Sequence, residues 1–225
     1  MSVEVIAPLV VLGLGVAISP VAIIAAILLV ASPGGRAKGG AFAAGWGGAL
    51  AVVGAIVVAL EGALGIGADE GSSRLVAAIG LVLGVVLLVY GILRWVRRPG
   101  PGDDDPTPAW MASLDTLTSP RAFGVGAVLG VVKPKNLVLT LAAGTAIAEQ
   151  GLPAAASIAA LAVYLIAASA SVGTPLVVAV AMGDRATPLL AGWRTWMTAH
   201  NGAIMTVVLL AFGAILVWRG ATGLV

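Results

Sequence analysis

Repeated apolar runs constrain this chain more than any other feature of its sequence. Each run is long enough to cross the roughly 30 Å hydrocarbon core of a bilayer as a helix. With 60% apolar and 10% charged residues and a mean hydropathy of +1.10, a soluble domain of 225 residues could not bury its apolar surface. We therefore predict an all-α integral membrane protein with six transmembrane helices. The predicted spans are Val3 to Ala31, Lys38 to Leu60, Arg74 to Val96, Ala122 to Ala148, Ala154 to Met182 and Gly202 to Ala221.

The composition argues against several other classes of protein. The formal net charge is +2, but the basic residues lie in short loops beside apolar segments, so nucleic acid is not an expected partner. The chain has no cysteine, which rules out disulfides and thiolate metal ligands. Its glycines do not form a phosphate-binding loop, and no hydrolase arrangement is visible. We expect neither an enzyme nor a protein with a cofactor or a bound metal.

The longest break between apolar runs divides the chain almost into halves. It contains Pro99-Gly100-Pro101-Gly102 followed by three aspartates, a composition typical of a linker. The predicted organisation is a first three-helix repeat at 1–98, a cytoplasmic linker at 99–119 and a second three-helix repeat at 120–225.

The two halves also resemble each other in sequence. Val85 to Gly91 in span three reads like Val207 to Gly213 in span six, and Gly15 to Pro20 in span one resembles Gly130 to Pro134 in span four. Because each half has three crossings, an odd number, the halves would enter the membrane from opposite sides. This is the inverted-repeat plan of many secondary transporters.

The distribution of lysine and arginine predicts the orientation in the membrane. One side holds only Arg74 and Arg219, whereas the other side holds most of the loop lysines and arginines and should be cytoplasmic. Both termini are then expected outside. The cytoplasmic set is Arg36, Lys38, Arg94, Arg97, Arg98, Arg121, Arg185 and Arg194.

Two short amphipathic segments precede spans four and six. Apolar faces of this kind are typical of helices that lie at a membrane interface, although tryptophans also form the aromatic belt of ordinary spans. The first face is Trp110, Met111, Leu114 and Leu117, and the second is Leu190, Trp193 and Met197. Both interpretations leave the topology unchanged.

Span four carries the most unusual polar sequence, Lys133-Pro134-Lys135-Asn136. Lys133 would lie about 16 Å from the start of the span, near the centre of the hydrocarbon core. A central lysine costs about 2.5 to 3.5 kcal/mol, which favours a functional pathway over a misplaced boundary or an irregular segment that reaches water. Helical spacing places Lys133, Asn136 and Thr140 on one face, with Lys135 elsewhere unless the helix is distorted.

Proline is expected to break spans one and four. Pro134 cannot donate to the carbonyl of Gly130, and Pro20 cannot donate to the carbonyl of Val16. Together with Ser19, these positions predict two broken helices that meet near the midplane, where transporter substrates commonly bind. Helix packing is the alternative role of either proline. Because no predicted span has a central carboxylate, an anionic substrate fits this site better than a cation.

Small and hydroxyl residues complete the candidate site. Hydroxyl groups near the centre of span five could line a polar cavity or bond a neighbouring helix. Glycine stripes at Gly80, Gly84, Gly91, Gly126 and Gly130 predict close helix contacts within one chain, with a homodimer as the alternative. The candidate substrate-binding residues are Ser19, Pro20, Lys133, Pro134, Lys135, Asn136, Thr140, Ser169, Ser171 and Thr174.

Four short motifs carry a family resemblance. They are Ser119 to Gly124, Lys133 to Leu137, Ala199 to Asn201 and Trp218 to Gly220. Together they resemble the glycolipid-addressing (GAP) proteins, a family that includes the mycobacterial sulfolipid-addressing proteins and belongs to the lysine-exporter superfamily. The resemblance implies a bacterial inner-membrane protein that helps to move glycolipids or lipid-linked precursors toward the cell envelope. Relatives often have asparagine at the position of Lys133, so this lysine departs from the family pattern.

These features together predict a transporter or flippase for an anionic glycolipid or a lipid-linked envelope precursor. Lys135, and with it Lys133, would hold the charged headgroup, and membrane lipids are the expected partners. Two alternatives remain open. One is export of a small solute such as an amino acid, and the other is a scaffold that recruits or stabilises a larger lipid exporter without transporting anything itself.

Overall fold

The computed structural model describes residues 3–64, 70–96 and 109–224. These residues form eight α-helices and two short 3₁₀ helices, and no strand occurs among them. The prediction of an all-helical protein is therefore confirmed. The α-helices are α1 (Val3–Ala17), α2 (Pro20–Ala31), α3 (Gly35–Leu64), α4 (Glu70–Val96), α5 (Ser119–Val131), α6 (Pro134–Ala148), α7 (Ala154–Met182) and α8 (Ala186–Thr222). The 3₁₀ helices are Ala109–Thr116 and Gly183–Arg185.

Several stretches of the described chain could cross a membrane. Three are long and apolar enough, and the number rises to five if each of two bent helix pairs counts as one span. The three are Gly35–Glu61, Ala77–Val96 and Ala154–Thr222. The last one runs for 69 residues and contains both the fifth and the sixth predicted spans. The chain is a multi-pass membrane protein, and the predicted number of six spans exceeds the number found on this criterion.

Both predicted helix breaks are present. Helices α1 and α2 meet at 67°, and α5 and α6 meet at 73°. Pro20 is the first residue of α2 and Pro134 is the first residue of α6, a position where the missing N–H of proline costs nothing. The residues before them, Ser19 and Lys133, leave the helical conformation because the proline ring crowds the preceding residue. The prediction that proline bends both spans is confirmed.

Helices α4 and α8 pack antiparallel through glycine. A Cβ on Gly84 would lie 2.6 Å from the Val217 nitrogen, and a Cβ on Gly220 would lie 2.6 Å from the Leu81 nitrogen. Only glycine permits so close an approach of two helix backbones. The predicted close contact within one chain is confirmed at Gly84, whereas a Cβ on Gly80 would meet nothing within 4 Å.

Helix α3 packs against both α5 and α7. Trp46, which is fully buried, donates from Nε1 to the carbonyl of Ala168 at 3.2 Å. Further along the same two helices, a Cβ on Gly54 would lie 2.7 Å from the side chain of Leu161, so α3 and α7 also run antiparallel. On the other side of α3, a Cβ on Gly126 of α5 would overlap the α3 backbone. Helix α3 therefore joins α5 to α7 through close backbone contacts.

Two helices extend beyond the predicted spans. Helix α8 begins at Ala186, well before the predicted start of the sixth span at Gly202. Helix α3 extends from Gly35 to Leu64, beyond both ends of the second predicted span. Polar residues near the membrane surface do not interrupt a helix whose other face is packed on protein. Both helices therefore continue beyond the apolar runs that defined the predicted spans.

The two amphipathic segments pack their apolar faces on the rest of the protein. Met111 and Leu114 are 5% and 1% exposed in the 3₁₀ helix that contacts α2. Leu190, near the start of α8, is buried against Ile23 and Ile27 of α2. The apolar faces of both segments therefore cover α2. Residues 97–108, which include the first part of the predicted linker at 99–119, lie outside the described residues.

Candidate functional site

The first break, at Ser19–Pro20 between α1 and α2, and the second break, at Lys133–Pro134 between α5 and α6, meet at a place that we call the crossing. Lys135 lies at this crossing. Its side chain is 2% exposed, and its Nζ donates to three carbonyls at the end of α1. These are the carbonyls of Gly15, of Val16 at 3.3 Å and of Ile18 at 2.9 Å. A lysine ammonium carries three N–H groups, so the end of α1 uses all of them. The carbonyl end of a helix is partly negative, and a cation stabilises it.

Side chains from the second break donate hydrogen bonds to the carbonyls that the two prolines release. The proline that opens α2 leaves the Val16 carbonyl without a helical partner, and Lys135 donates to it. The proline that opens α6 does the same to Gly130, whose carbonyl accepts from Asn136 Nδ2 at 3.0 Å. The predicted release of both carbonyls is confirmed, and each has the hydrogen bond that a buried carbonyl requires.

Lys133 occupies the break between α5 and α6. Its Nζ donates to the Oγ of the fully buried Ser19 at 2.8 Å, while the lysine itself is partly exposed. Arg94, near the end of α4, lies close enough to Lys133 to act on it electrostatically. Because Lys133 precedes the first turn of α6, the predicted helical face that it shares with Asn136 and Thr140 is wrong. Those two residues belong to α6 and are buried.

A buried polar chain extends from the crossing toward α7. Thr140 Oγ1 donates to the carbonyl of Asn136 at 2.7 Å and lies 2.7 Å from the hydroxyl of Tyr164. Both hydroxyl-bearing side chains are fully buried. The Oδ1 atom of Asn136 is also buried and has no hydrogen-bond partner among the described residues. The crossing therefore contains one polar acceptor that the described residues leave unpaired.

The three hydroxyl residues predicted in span five divide between two roles. Ser171 donates to the carbonyl of Ala17, so it joins Lys135 at the end of α1. Thr174 donates at 2.6 Å to the carbonyl one turn earlier in its own helix. Ser169 faces Gly47, on which a Cβ would lie 3.2 Å from the serine Oγ. Among these three residues, only Ser171 therefore bonds to the end of α1.

A cavity of about 480 Å³ lies beside the crossing, between α1, α2, α7 and α8. Its walls include Ile18 and Pro20 from the first break, Ser171 and Thr174 from α7, and Trp196 from α8. The remaining walls are mostly apolar, which suits a hydrocarbon chain. Three of the predicted site residues therefore line a cavity, although the lysines hold their places through hydrogen bonds to the first break.

The crossing concentrates positive charge. Lys133 and Lys135 lie two residues apart, and Arg94 adds a third cation that the sequence prediction did not include. The polar partner Tyr164 was also missed, because one hydroxyl within an apolar run gives no signal of its own. No three side chains of His, Cys, Asp or Glu come together as a metal site in the part of the chain that the structure describes. The site is suited to bind an anion.

Comparison with protein families agrees with the motifs. A family model described as Sap, sulfolipid-1-addressing protein, matches residues 9–222. The chain belongs to this sulfolipid-1-addressing protein family. The match covers nearly the whole chain and both helix breaks, so the resemblance to the sulfolipid-addressing proteins is confirmed, while membership of the lysine-exporter superfamily stays a prediction. Comparison with curated proteins and with solved structures gives no match.

Membership of the sulfolipid-1-addressing family indicates a role in lipid export or addressing. One of the motifs that carried the resemblance contains His200. In the structure its ring stacks on Trp196 at a centroid distance of 4.8 Å, and Nδ1 lies 2.8 Å from the Trp196 carbonyl. Both contacts are local to α8, so this part of the family motif holds the side chains of one helix together.

Proposed function

We propose that the protein moves an anionic glycolipid, or a lipid-linked envelope precursor, between the leaflets of the bacterial plasma membrane. The observation that carries this proposal is the partly buried Lys133, which Ser19 holds at the crossing of two broken helices, within electrostatic range of Arg94. Ammonium and guanidinium groups bind sulfate and phosphate oxygens through charge-assisted hydrogen bonds. A lipid with a sulfated or phosphorylated head therefore matches the charge of the crossing, and the family match supports a lipid cargo.

Lys133, and not Lys135, receives the headgroup in this proposal. The three N–H groups of Lys135 already bond the end of α1. Among the described residues Lys133 donates one side-chain hydrogen bond, to Ser19, and an ammonium carries three N–H groups. Lys133 thus retains hydrogen-bonding capacity for an anion, and Ser19 fixes its position. This assignment reverses the order in which the sequence ranked the two lysines.

The apolar part of the lipid would enter the cavity of about 480 Å³. That cavity reaches the first break at Ile18 and Pro20, the two neighbours of Ser19 in the chain. A headgroup at Lys133 and a hydrocarbon chain along these walls would therefore meet the same segment of the protein.

The proposal includes six spans arranged as an inverted repeat, a plan that suits a transport mechanism. Gly91 contacts Leu210, and Gly213 contacts Leu88. These four residues occupy equivalent positions in the repeated segments of α4 and α8, and such reciprocal contacts are characteristic of two-fold symmetry. The 69-residue stretch Ala154–Thr222 contains both α7 and α8. As one straight helix it would be about 100 Å long, more than three times the hydrocarbon thickness, which supports two crossings within it.

Two cavities at related positions add to this argument. The alignment that matches Gly91 with Gly213 brings residues 77–83, which line a second cavity, onto 199–205. The residues of α8 that line the cavity beside the crossing are Trp196, Met197 and Ile204, which lie inside that range or within one helical turn of it. In an inverted repeat such a pair would open toward opposite membrane faces, as alternating access requires. The proposal includes termini outside the cell and no enzymatic activity.

Lipid transfer in proteoliposomes tests the proposal. The purified chain is reconstituted with a fluorescent sulfated glycolipid in one leaflet, and its transfer is compared with that of a zwitterionic lipid bearing the same label. We expect Lys133→Gln to slow transfer of the sulfated lipid roughly tenfold or more, because a charge-assisted hydrogen bond contributes about 1.5 to 3 kcal/mol. Lys38→Gln is the matched control, since Lys38 also is partly exposed and donates to a serine hydroxyl, Ser32, at 3.2 Å.

The result separates the proposal from its alternatives. Transfer by the purified chain alone excludes a scaffold that acts only through a larger exporter. If the sulfated lipid stays in place while a labelled amino acid crosses the same vesicles, the protein is a solute exporter. Equal transfer rates for Lys133→Gln and wild-type protein at matched abundance would remove Lys133 from the site.

A further inference from the structure

A second cavity, of about 460 Å³, lies between α3, α4, α6 and α8. Three charged side chains lie together at one end of the cavity. They are Glu61 from the last turn of α3, Glu149 at the end of α6 and Arg219 near the end of α8. Thr145 lines the same end, and most of the other lining side chains are apolar. A cavity with an apolar body and charges at one end fits an amphiphile.

Glu61 identifies the chemistry that the charged end requires. Its Oε1 accepts from Thr145 Oγ1 at 2.6 Å, whereas Oε2 is buried without a hydrogen-bond partner among the described residues. A buried carboxylate oxygen without a donor is costly. Because Glu61 lines the cavity, a rotation of its carboxyl group would bring this oxygen to an N–H group of an occupant, and the new hydrogen bond would stabilise the carboxylate.

The balance of charge points to a cationic group in the occupant. Two carboxyl groups, Glu61 and Glu149, share the cavity with one guanidinium, Arg219. Burial raises the pKa of the Glu149 carboxyl, the nearby Arg219 lowers it, and the neighbouring Glu61 raises it. A second cation at this end would offset the excess of carboxylates. Arg219 in turn offers a guanidinium to an anionic group on the same occupant.

The wall of the cavity faces the bilayer. Leu60 and Ile79, which both line it, are 55% and 50% exposed, and apolar side chains so exposed in a membrane protein contact lipid. Gly80 lines the cavity between them and has nothing within 4 Å of the position of a Cβ. An occupant would thus arrive sideways from the membrane, which favours a lipid over a soluble ligand.

We propose that this cavity binds a phospholipid whose headgroup carries a primary ammonium, as phosphatidylethanolamine does. The ammonium would donate to Glu61 and Glu149, and the lipid phosphate would accept from Arg219. Phosphatidylcholine has the same charges but no N–H to donate, and phosphatidylglycerol lacks the cation. The cavity therefore discriminates among lipids that share the same acyl chains.

Native mass spectrometry of the purified full chain tests this discrimination. The protein is titrated with phosphatidylethanolamine, phosphatidylcholine and phosphatidylglycerol of identical acyl composition, and the one-to-one lipid adduct is quantified. We expect the phosphatidylethanolamine adduct to exceed the phosphatidylcholine adduct roughly tenfold, the loss expected when a buried charged acceptor is left without a donor. Equal adducts for the two lipids would overturn the proposal.

Two variants assign the binding to this cavity. Glu61→Gln keeps an acceptor for Thr145 but removes the charge, and Gly80→Leu fills the cavity from a position that has open space. Each should reduce the phosphatidylethanolamine adduct at least several-fold, whereas Glu4→Gln, at an exposed residue near the start of α1, should leave it unchanged. Persistence of the adduct in both variants would place the lipid elsewhere and refute the site.

The inference is independent of the proposed transport site. Lys133→Gln should retain the preference for phosphatidylethanolamine, because Lys133 does not line this cavity. Loss of that preference in Lys133→Gln would show that the two sites are one and would overturn the assignment. Failure of the transport test leaves this binding measurement unaffected, so the two proposals can fail separately.

Discussion

Replacement of Lys135 by methionine should destabilise the protein far more than the same replacement of Lys133. Lys135 donates three hydrogen bonds to the end of α1, and a charge-assisted bond contributes about 1.5 to 3 kcal/mol. Burying a lysine ammonium in the membrane costs about 2.5 to 3.5 kcal/mol, which methionine would spare. Three such bonds contribute about 4.5 to 9 kcal/mol together, so the expected net loss is roughly 1 to 6.5 kcal/mol. Lys133 donates one bond, to the hydroxyl of Ser19, and its loss should cost about 1 kcal/mol.

Unfolding in mixed micelles measures this difference. Wild type, Lys135→Met and Lys133→Met are titrated with a denaturing detergent, and the free energy of unfolding is obtained from helix loss by linear extrapolation. Lipid transfer is measured on the same preparations, because Lys133→Met should impair transfer while the fold is retained. A Lys135→Met protein within about 1 kcal/mol of wild type would refute the reasoning, since the ammonium would then contribute nothing net to the end of α1.

Three further predictions concern other parts of the chain. Gly84→Ala should cost about 1 to 3 kcal/mol by overpacking α4 against α8, whereas Gly80→Ala should be neutral or stabilising; equal unfolding free energies would contradict the contact. An impermeant thiol reagent applied to intact cells should label Gly151→Cys and spare Gly102→Cys, and the opposite pattern would reverse the proposed orientation. Burial raises the pKa of Glu149, so the ionised carboxylate lowers the stability of the folded protein at high pH. Glu149→Gln should therefore raise the unfolding temperature at pH 8 and lose that advantage near pH 3.5, where the wild-type carboxyl is protonated in both folded and unfolded states. A difference in unfolding temperature that does not change with pH would contradict this assignment.

The helix breaks could be predicted because their cause is local. A proline removes a specific N–H, so the released carbonyls of Val16 and Gly130 follow from the sequence alone. The partners of those carbonyls do not follow from it. Lys135 reaches the first carbonyl from more than a hundred residues away, and only the crossing of the two breaks brings them together.

The sequence does not predict that charged residues near helix ends form a binding site. Glu61 and Arg219 lie where carboxylates and arginines normally mark the membrane surface, and nothing in their spacing indicates a shared cavity. The sequence predicted the segment before Gly202 as a separate amphipathic helix, whereas in the structure it is continuous with α8. In both cases the packing of distant helices decides the outcome, and packing has no local signature.

The hydrogen bonds of Lys135 also constrain how the protein can be made. Its acceptors at Gly15, Val16 and Ile18 leave the ribosome more than a hundred residues ahead of the lysine itself. Until the second break arrives, the first carries bare carbonyls in lipid, and a second half made alone would carry a bare ammonium. Each half is therefore the missing partner of the other during membrane insertion. Two separately expressed halves should survive in the cell only when they are synthesised together.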